Sequence, residues 1–257
     1  MQLNVTEWGD PAGAPVLCLH GVTGHGRRFR QLAEERLGAF RVVGIDYRGH
    51  GRSSWEPPWT VEQHLADLVD TSDALGVAGA AWVGHSFGGK LVAELALRHP
   101  DLVERAVLLD PAMHLDPAVV RERADLARPD LSFASPDDAI DTRLGDGSLF
   151  TTPRSTLEEE AREHLVEIRR GTFRWNYCQS AVVFAYGELC LHAPPPETLG
   201  APTLLVHAEQ FGLVRGDQLR AYRDRVEPVA VPGGHMVIWD AYEETADAVT
   251  SFLWRRQ

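Results

Sequence analysis

The stretch Trp82-Val83-Gly84-His85-Ser86-Phe87-Gly88-Gly89-Lys90-Leu91 limits the possible folds more than any other part of the chain. Ala80 to Val83 are small or apolar and suit a buried strand, while Leu91 to Leu97 are almost uniformly apolar or small and suit a buried helix. A strand that becomes a helix within so few residues must turn sharply, with Ser86 at the apex. Gly84 and Gly88 remove side chains that would collide with the neighbouring strand and helix, and the turn lifts the serine hydroxyl above the sheet edge. The helix that follows brings free amides and the positive end of its dipole to the same place, so an anion forming beside Ser86 is stabilised there.

Short apolar strands alternate with helical segments on either side of this turn. Met1 to Trp8 predicts an edge strand, Val16 to Leu19 a buried one that ends at His20-Gly21-Val22-Thr23-Gly24, and Phe40 to Ile45 a third. Phe29 to Leu37 suits a helix, and Thr60 to Leu75 has Val61, Leu65, Leu68 and Val69 at helical spacing behind Thr60 as N-cap. Arg105 to Asp110 reads as the next strand. This rhythm predicts an α/β protein with a mostly parallel sheet covered on both faces, whose ligands gather beyond the carboxyl ends of the strands.

From Pro111 the strand rhythm stops. Helices are predicted over Ala118 to Leu126, Thr156 to Arg169 and Tyr177 to Tyr186, with Pro194-Pro195-Pro196 as a stiff exit. The expected organisation is a core in two parts, residues 1–111 and 198–257, with a helical cap inserted at 112–197. Phe150, Trp175, Tyr177, Phe184 and Tyr186 are candidates to line a pocket beneath it. The strand rhythm resumes at Thr203 to His207 and Val229 to Val231, with an amphipathic stretch from Gln218 to Val226 and a last helix from Tyr242 to Trp254.

A chain of 257 residues is within reach of one large domain with an insertion. Its net charge of −12 argues against nucleic acid or an anionic membrane as a standing partner, because both select basic surface. No start segment has the pattern of an export signal and no apolar run approaches the ~18 residues of a membrane span, so the expected compartment is the cytoplasm. Cys18, Cys178 and Cys190 are odd in number and form no Cys-x-x-Cys pair, which fits reduced thiols. His-Glu-x-x-His and paired His/Cys ligand spacings are missing, so no metal is expected. Gly84-x-x-x-x-Gly89-Lys90 imitates a phosphate-binding loop, but the next residue is Leu91, where such a loop needs a hydroxyl for Mg²⁺.

Three motifs together resemble the α/β-hydrolase superfamily: His20-Gly21-Val22-Thr23-Gly24 its first-loop oxyanion motif, Gly84-His85-Ser86-Phe87-Gly88-Gly89 its nucleophile elbow, and Gly233-Gly234-His235 its histidine loop. The resemblance implies an α/β-hydrolase fold with Ser86 as nucleophile, His235 as general base, and the amides of Val22 and Phe87 as oxyanion hole. It also implies no cofactor. The acid of the triad is where the chain departs from the family, since Phe211 stands at the usual position in His207-Ala208-Glu209-Gln210-Phe211-Gly212. Asp110, after the strand that follows the elbow helix, is the favoured replacement because some members of the superfamily place their acid there, and Glu209 is the alternative. His20, His50 and His85 are read as structural.

The expected activity is serine hydrolysis of small-molecule carboxylic esters, extending to lactones and thioesters, through an acyl-enzyme. The apolar insertion suggests an uncharged acyl group of small or medium size. Carbon-carbon bond hydrolysis and peracid formation use the same elbow and are the alternatives within the superfamily. A non-catalytic binding protein that keeps the fold is the alternative outside it.

Overall fold

The computed structural model describes residues 1–222 and 224–255. In chain order the first part of the core contains β1 (Asn4–Gly9), β2 (Pro15–Leu19), α1 (Arg30–Arg36), β3 (Arg41–Asp46), α2 (Val61–Leu75), β4 (Ala80–His85), α3 (Phe87–Arg98) and β5 (Val103–Leu109). The insertion carries α4 (Pro117–Ala127), α5 (Pro136–Gly145), α6 (Arg154–His164), β6 (Leu165–Arg169), β7 (Thr172–Trp175) and α7 (Gln179–Glu188). The chain then returns to the core with β8 (Thr203–Ala208), α8 (Gly216–Tyr222), β9 (Glu227–Val231), α9 (Val237–Asp240) and α10 (Tyr242–Trp254).

The central sheet has the order β1-β3-β2-β4-β5-β8-β9. Only β1 runs antiparallel, against β3; the other pairs are parallel. Parallel neighbours need crossovers, and the helices that make them cover both faces of the sheet. The period-two alternation of the strands divides the core accordingly. Leu17, Leu19, Trp82 and Leu108 point to the face covered by α2 and α3, whereas Val16, Cys18, Val83 and Val107 point to the face covered by α1 and α10. Thr60 caps α2 as expected, its side chain accepting from the Gln63 amide at 3.2 Å.

The insertion differs from its sequence reading in two places. The helix expected to reach Arg169 stops at His164, and the chain enters an antiparallel hairpin, β6 with β7. Val166 and Ile168 prefer extended backbone, and Arg170-Gly171 closes a tight turn in which Gly171 takes φ +69°. Helix α5 was not anticipated, yet its start is well specified: the Ser135 side chain accepts from the Asp138 amide at 3.1 Å, and Pro136 opens the first turn. Among the described residues no helix is long and apolar enough to cross a membrane.

Lys90, which gave the elbow its likeness to a phosphate loop, has a different task. It is fully buried on α3, and its Nζ donates to the carbonyls of Met113 (3.2 Å), Glu188 (3.0 Å) and Leu191 (3.0 Å). Glu188 ends α7 and Leu191 follows three residues beyond, near the helix C-terminus, where a cation is favourable. Lys90 therefore ties the elbow helix to the insertion. Replacing Lys90 by Met removes all three bonds and leaves the Met113 carbonyl without its donor, while Glu188 and Leu191 keep bonds from the Leu191 amide and His114 Nδ1; urea denaturation is expected to register a loss of about 1–3 kcal/mol, and a change below about 0.5 kcal/mol would contradict this role.

Candidate active site

Ser86 occupies the junction of β4 and α3 with φ 55° and ψ −118°, a conformation that costs a side-chain-bearing residue and persists only under tight packing. The packing is visible. A Cβ at Gly84 would collide with the Gly88 carbonyl, and one at Gly88 would lie 2.6 Å from the His20 carbonyl oxygen. The Ser86 amide donates to the Leu109 carbonyl at 3.0 Å, while its own carbonyl accepts from Ala112 at 3.1 Å. The turn is thereby fastened to the end of β5.

That end carries Asp110, also at positive φ (38°) and completely buried. Its amide donates to Val206 at 2.7 Å, and Oδ1 accepts from the Ala208 amide at 3.1 Å. The other carboxylate oxygen, Oδ2, lies 2.6 Å from His235 Nδ1, and His235 Nε2 lies 2.9 Å from Ser86 Oγ. A carboxylate can only accept, so Nδ1 carries the proton and Nε2 is left to accept from the serine hydroxyl. His235 arrives on the loop after β9, held by its carbonyl's bond from His85 Nε2 (2.9 Å) and by Gly234, whose amide donates to Thr151 Oγ1 (2.8 Å) in the insertion.

The structure thus brings Ser86, His235 and Asp110 into one hydrogen-bonded line. Glu209 is not part of it: its side chain is exposed, and its amide donates to the Val231 carbonyl at 3.0 Å. Phe211 stacks on the His235 ring instead, with centroids 4.9 Å apart and planes 17° from parallel.

The first loop lies directly against the elbow, since a Cβ at Gly21 would come within 3.1 Å of Ser86 Cβ. The Gly21 carbonyl accepts from the Tyr47 hydroxyl at 2.8 Å, and the Val22 carbonyl accepts a short bond from His50 Nε2. His20 stacks on Tyr47 at 3.9 Å. These three side chains fix the loop from below, so that Val22 borders the same cavity as Ser86. Phe87 opens α3, where backbone amides have no intrahelical acceptor.

Solved structures share this architecture. The crystal structure of E-2-(acetamidomethylene)succinate hydrolase superposes with a TM-score of 0.87 at 23% identity, covering 98% of this chain and 94% of that one. A thioesterase domain from the curacin biosynthetic pathway gives 0.75 at 22% identity, covering 98% and 94%. At such identities the likeness is one of fold. A family model for the alpha/beta hydrolase fold matches residues 14–242. The chain belongs to the α/β-hydrolase family. Among its relatives, the lipase LipV of Mycobacterium tuberculosis is 35% identical over 98% of this chain and 98% of its own length. The sn-1-specific diacylglycerol lipase ABHD11 of Mus musculus is 27% identical over 95% of this chain and 82% of its own. Hydrolases thus surround this α/β-hydrolase in sequence as well as in fold.

A cavity of about 640 Å³ opens above Ser86 between the core and the insertion. Trp175, Tyr177 and Tyr186 line it with Leu115, Val119 and Met236. Of the other aromatic candidates, Phe150 is largely exposed and stacks on Phe211, and Phe184 borders a separate groove with Trp55 and Trp59.

Sequence reasoning missed the buried ionic cluster beside this cavity. Arg28 donates from Nε to Glu160 Oε1 at 2.8 Å, His25 Nε2 lies 3.0 Å from Glu160 Oε2, and His164 stacks on His25 at 4.3 Å. Burial by itself raises the Glu160 carboxyl, but Arg28 and His25 hold it well below the usual carboxylate range. The pairs His25/Arg28 and Glu160/His164 are far from each other in sequence and carry no motif; the one available signal was a glutamate on the otherwise inward face of α6.

Burial also pushes several histidines of this α/β-hydrolase down: His20, His85 and His164 well below 6.5, His50 to about 4 and His64 to about 3. Each stays neutral in the folded chain at a pH where the unfolded chain takes up a proton. Their contribution is complete above about pH 6.5 and declines as pH falls from there toward the folded values, by at most about 1.4 kcal/mol per pH unit for each histidine. Glu160, depressed as well, adds a loss of the same sign below its ordinary value of 4.5. Urea midpoints are expected to be level between pH 7 and 8 and to fall steeply from pH 6.5 to 5; equal midpoints across that range would refute the neutral histidines.

Proposed function

We propose that this chain is a serine hydrolase of carboxylic esters that works through an acyl-enzyme, with thioesters and lactones open to the same chemistry. The observation that carries the reading is the line Asp110 Oδ2 to His235 Nδ1 (2.6 Å) and His235 Nε2 to Ser86 Oγ (2.9 Å). A serine hydroxyl is a weak nucleophile until an imidazole within hydrogen-bond reach takes its proton.

In the proposed reaction Ser86 Oγ attacks the ester carbonyl as its proton passes to His235 Nε2. The positive imidazolium is stabilised by the Asp110 carboxylate, which keeps its negative charge throughout. Negative charge on the former carbonyl oxygen rests on the Val22 and Phe87 amides, in a cavity between core and insertion, where fixed donors need no reorganisation as the charge develops. The intermediate collapses as His235 returns its proton to the leaving alkoxide. Water then repeats the sequence on the acyl-enzyme, with His235 again as base, and frees the acid and Ser86. The lipases among the relatives support an ester as the bond attacked.

A fluorophosphonate is expected to label the protein at Ser86 and to leave the Ser86→Ala variant unlabelled. Aryl esters of increasing acyl length should be hydrolysed with a maximum set by the cavity. Folded protein that neither reacts with the probe nor turns over any ester would overturn the proposal. The Asp110→Asn variant should retain its fold and lose roughly 10³–10⁴-fold in kcat, because the amide favours the wrong imidazole tautomer. A wild-type rate in that variant would remove Asp110 from the mechanism.

A further inference from the structure

The chain is acidic overall, with 37 Asp and Glu against 25 Lys and Arg, but the wall of the cavity above Ser86 is not. Arg28, Arg123 and Arg143 line it, opposed there by Asp146 alone. Arg28 is already committed to Glu160. Asp146 is exposed at the rim, where one of its oxygens accepts from the Ser148 amide at 2.7 Å. Arg123, on α4, and Arg143, on α5, take part in no ion pair with the described residues.

Arg143 is held as a binding group would be. Its guanidinium lies over the Trp175 ring, 4.9 Å from the centroid, and Nη2 donates to Thr23 Oγ1 at 2.6 Å. Stacking on an aromatic face leaves the edge of the guanidinium as its hydrogen-bonding side and fixes its orientation. On that edge Nη1 is buried and has no acceptor among the described residues. A buried donor without a partner costs about 1–3 kcal/mol, and an acceptor brought by a ligand would remove that cost. Arg143 is among the residues that line the cavity, and Thr23, which holds its guanidinium, follows Val22, whose amide is assigned to the oxyanion.

We infer that Arg143, assisted by Arg123, forms an anion subsite, and that the substrate is an ester or thioester bearing a second, ionised carboxylate. A planar carboxylate matches the fork of a guanidinium, and both cations come from the insertion, so the insertion selects for charge while the core supplies the reaction. Where the apolar sequence of the insertion suggested an uncharged acyl group, the arginines favour a substrate with one negative charge, on its acyl or its leaving-group side. This inference rests on the ester-hydrolase reading of Ser86 for its reaction but not for its binding site.

Two measurements separate those dependences. Calorimetry on the Ser86→Ala protein compares monomethyl glutarate with dimethyl glutarate, and 4-carboxyphenyl butyrate with phenyl butyrate. Hydrolysis by the unaltered protein compares 4-nitrophenyl hemiglutarate with 4-nitrophenyl valerate, and the same two butyrates. In at least one position, acyl side or leaving-group side, the charged compound should be favoured about tenfold or more in Kd and in kcat/KM. Arg143→Met should bring that ratio close to one, Arg143→Lys should retain part of it, and 0.5 M salt should reduce it. The ratio cancels any common effect of Arg143 on the Thr23 loop, and the lysine variant guards against misfolding. Preference for the neutral compound in both positions, or a preference unchanged in Arg143→Met, would overturn the anion subsite. Charge-selective binding without any turnover would uphold the subsite and count against the ester-hydrolase reading alone.

Discussion

The parallel pairing of β4 with β5 is the constraint on which the site depends. Their register sets His85 beside Leu109, so the two strands end together and their next residues, Ser86 and Asp110, leave the sheet side by side. Both take positive φ, and both are held by bonds to a neighbouring strand end: Ser86 to Leu109, Asp110 to Val206. Two unfavourable backbone conformations survive because the surrounding sheet is buried on both faces and leaves no room to relax. Gly84 and Gly88 make the contact between strand, helix and first loop short enough for this to happen. Strain at the elbow and rigidity of the sheet are therefore one property.

The insertion is attached to this rigid core by apolar packing, in which Val120, Val182, Ala185 and Leu189 join the core cluster, and by buried charged side chains. Lys90 reaches upward from α3 to the end of α7, and Glu160 reaches inward from α6 to Arg28 and His25. Buried ion pairs contribute less to stability than their Coulomb attraction suggests, because both partners lose their hydration. Their strong effect is on geometry. A sliding apolar contact tolerates many relative positions of cap and core, whereas an unpartnered buried charge does not. The cavity above Ser86 keeps a defined shape for the same reason, and Thr151 extends the restraint to the histidine loop through Gly234.

The core was legible in the sequence to within a few residues at most strand and helix ends, because alternation of apolar residues with turn signals records a buried parallel sheet directly. Ser86, His235, Val22 and Phe87 were legible for another reason: a sharp turn and two loops need glycine, and glycine-spaced motifs survive as local patterns. Asp110 was harder. Nothing local distinguishes Leu109-Asp110-Pro111 from a strand ending in a polar residue, and only the proximity of Asp110 Oδ2 to His235 Nδ1 sets it apart from Glu209. The hairpin β6–β7 was misread because Val166 and Ile168 are compatible with either period over so short a run. The ionic cluster and Arg143 were invisible, since their partners are brought together from α6, α5 and the first loop by tertiary packing alone.

Phe211 shows how these levels join. In sequence it appeared as a vacancy, an aromatic where a carboxylate was expected. In the structure its ring stacks on His235 and is itself stacked on by Phe150, and Asp110 approaches the imidazole from β5. An imidazole has two requirements in such a site: an acceptor at Nδ1 to set the tautomer, and packing against its faces to set the tilt. A carboxylate at position 211 would meet the first and leave the second to neighbours. Here the functions are divided between two residues on different elements, the acid on a strand end locked by Val206 and Ala208, the aromatic on the adjacent loop. Removing the acid from the loop frees that loop from carrying a buried charge, and the orientation of His235 becomes a consequence of the sheet.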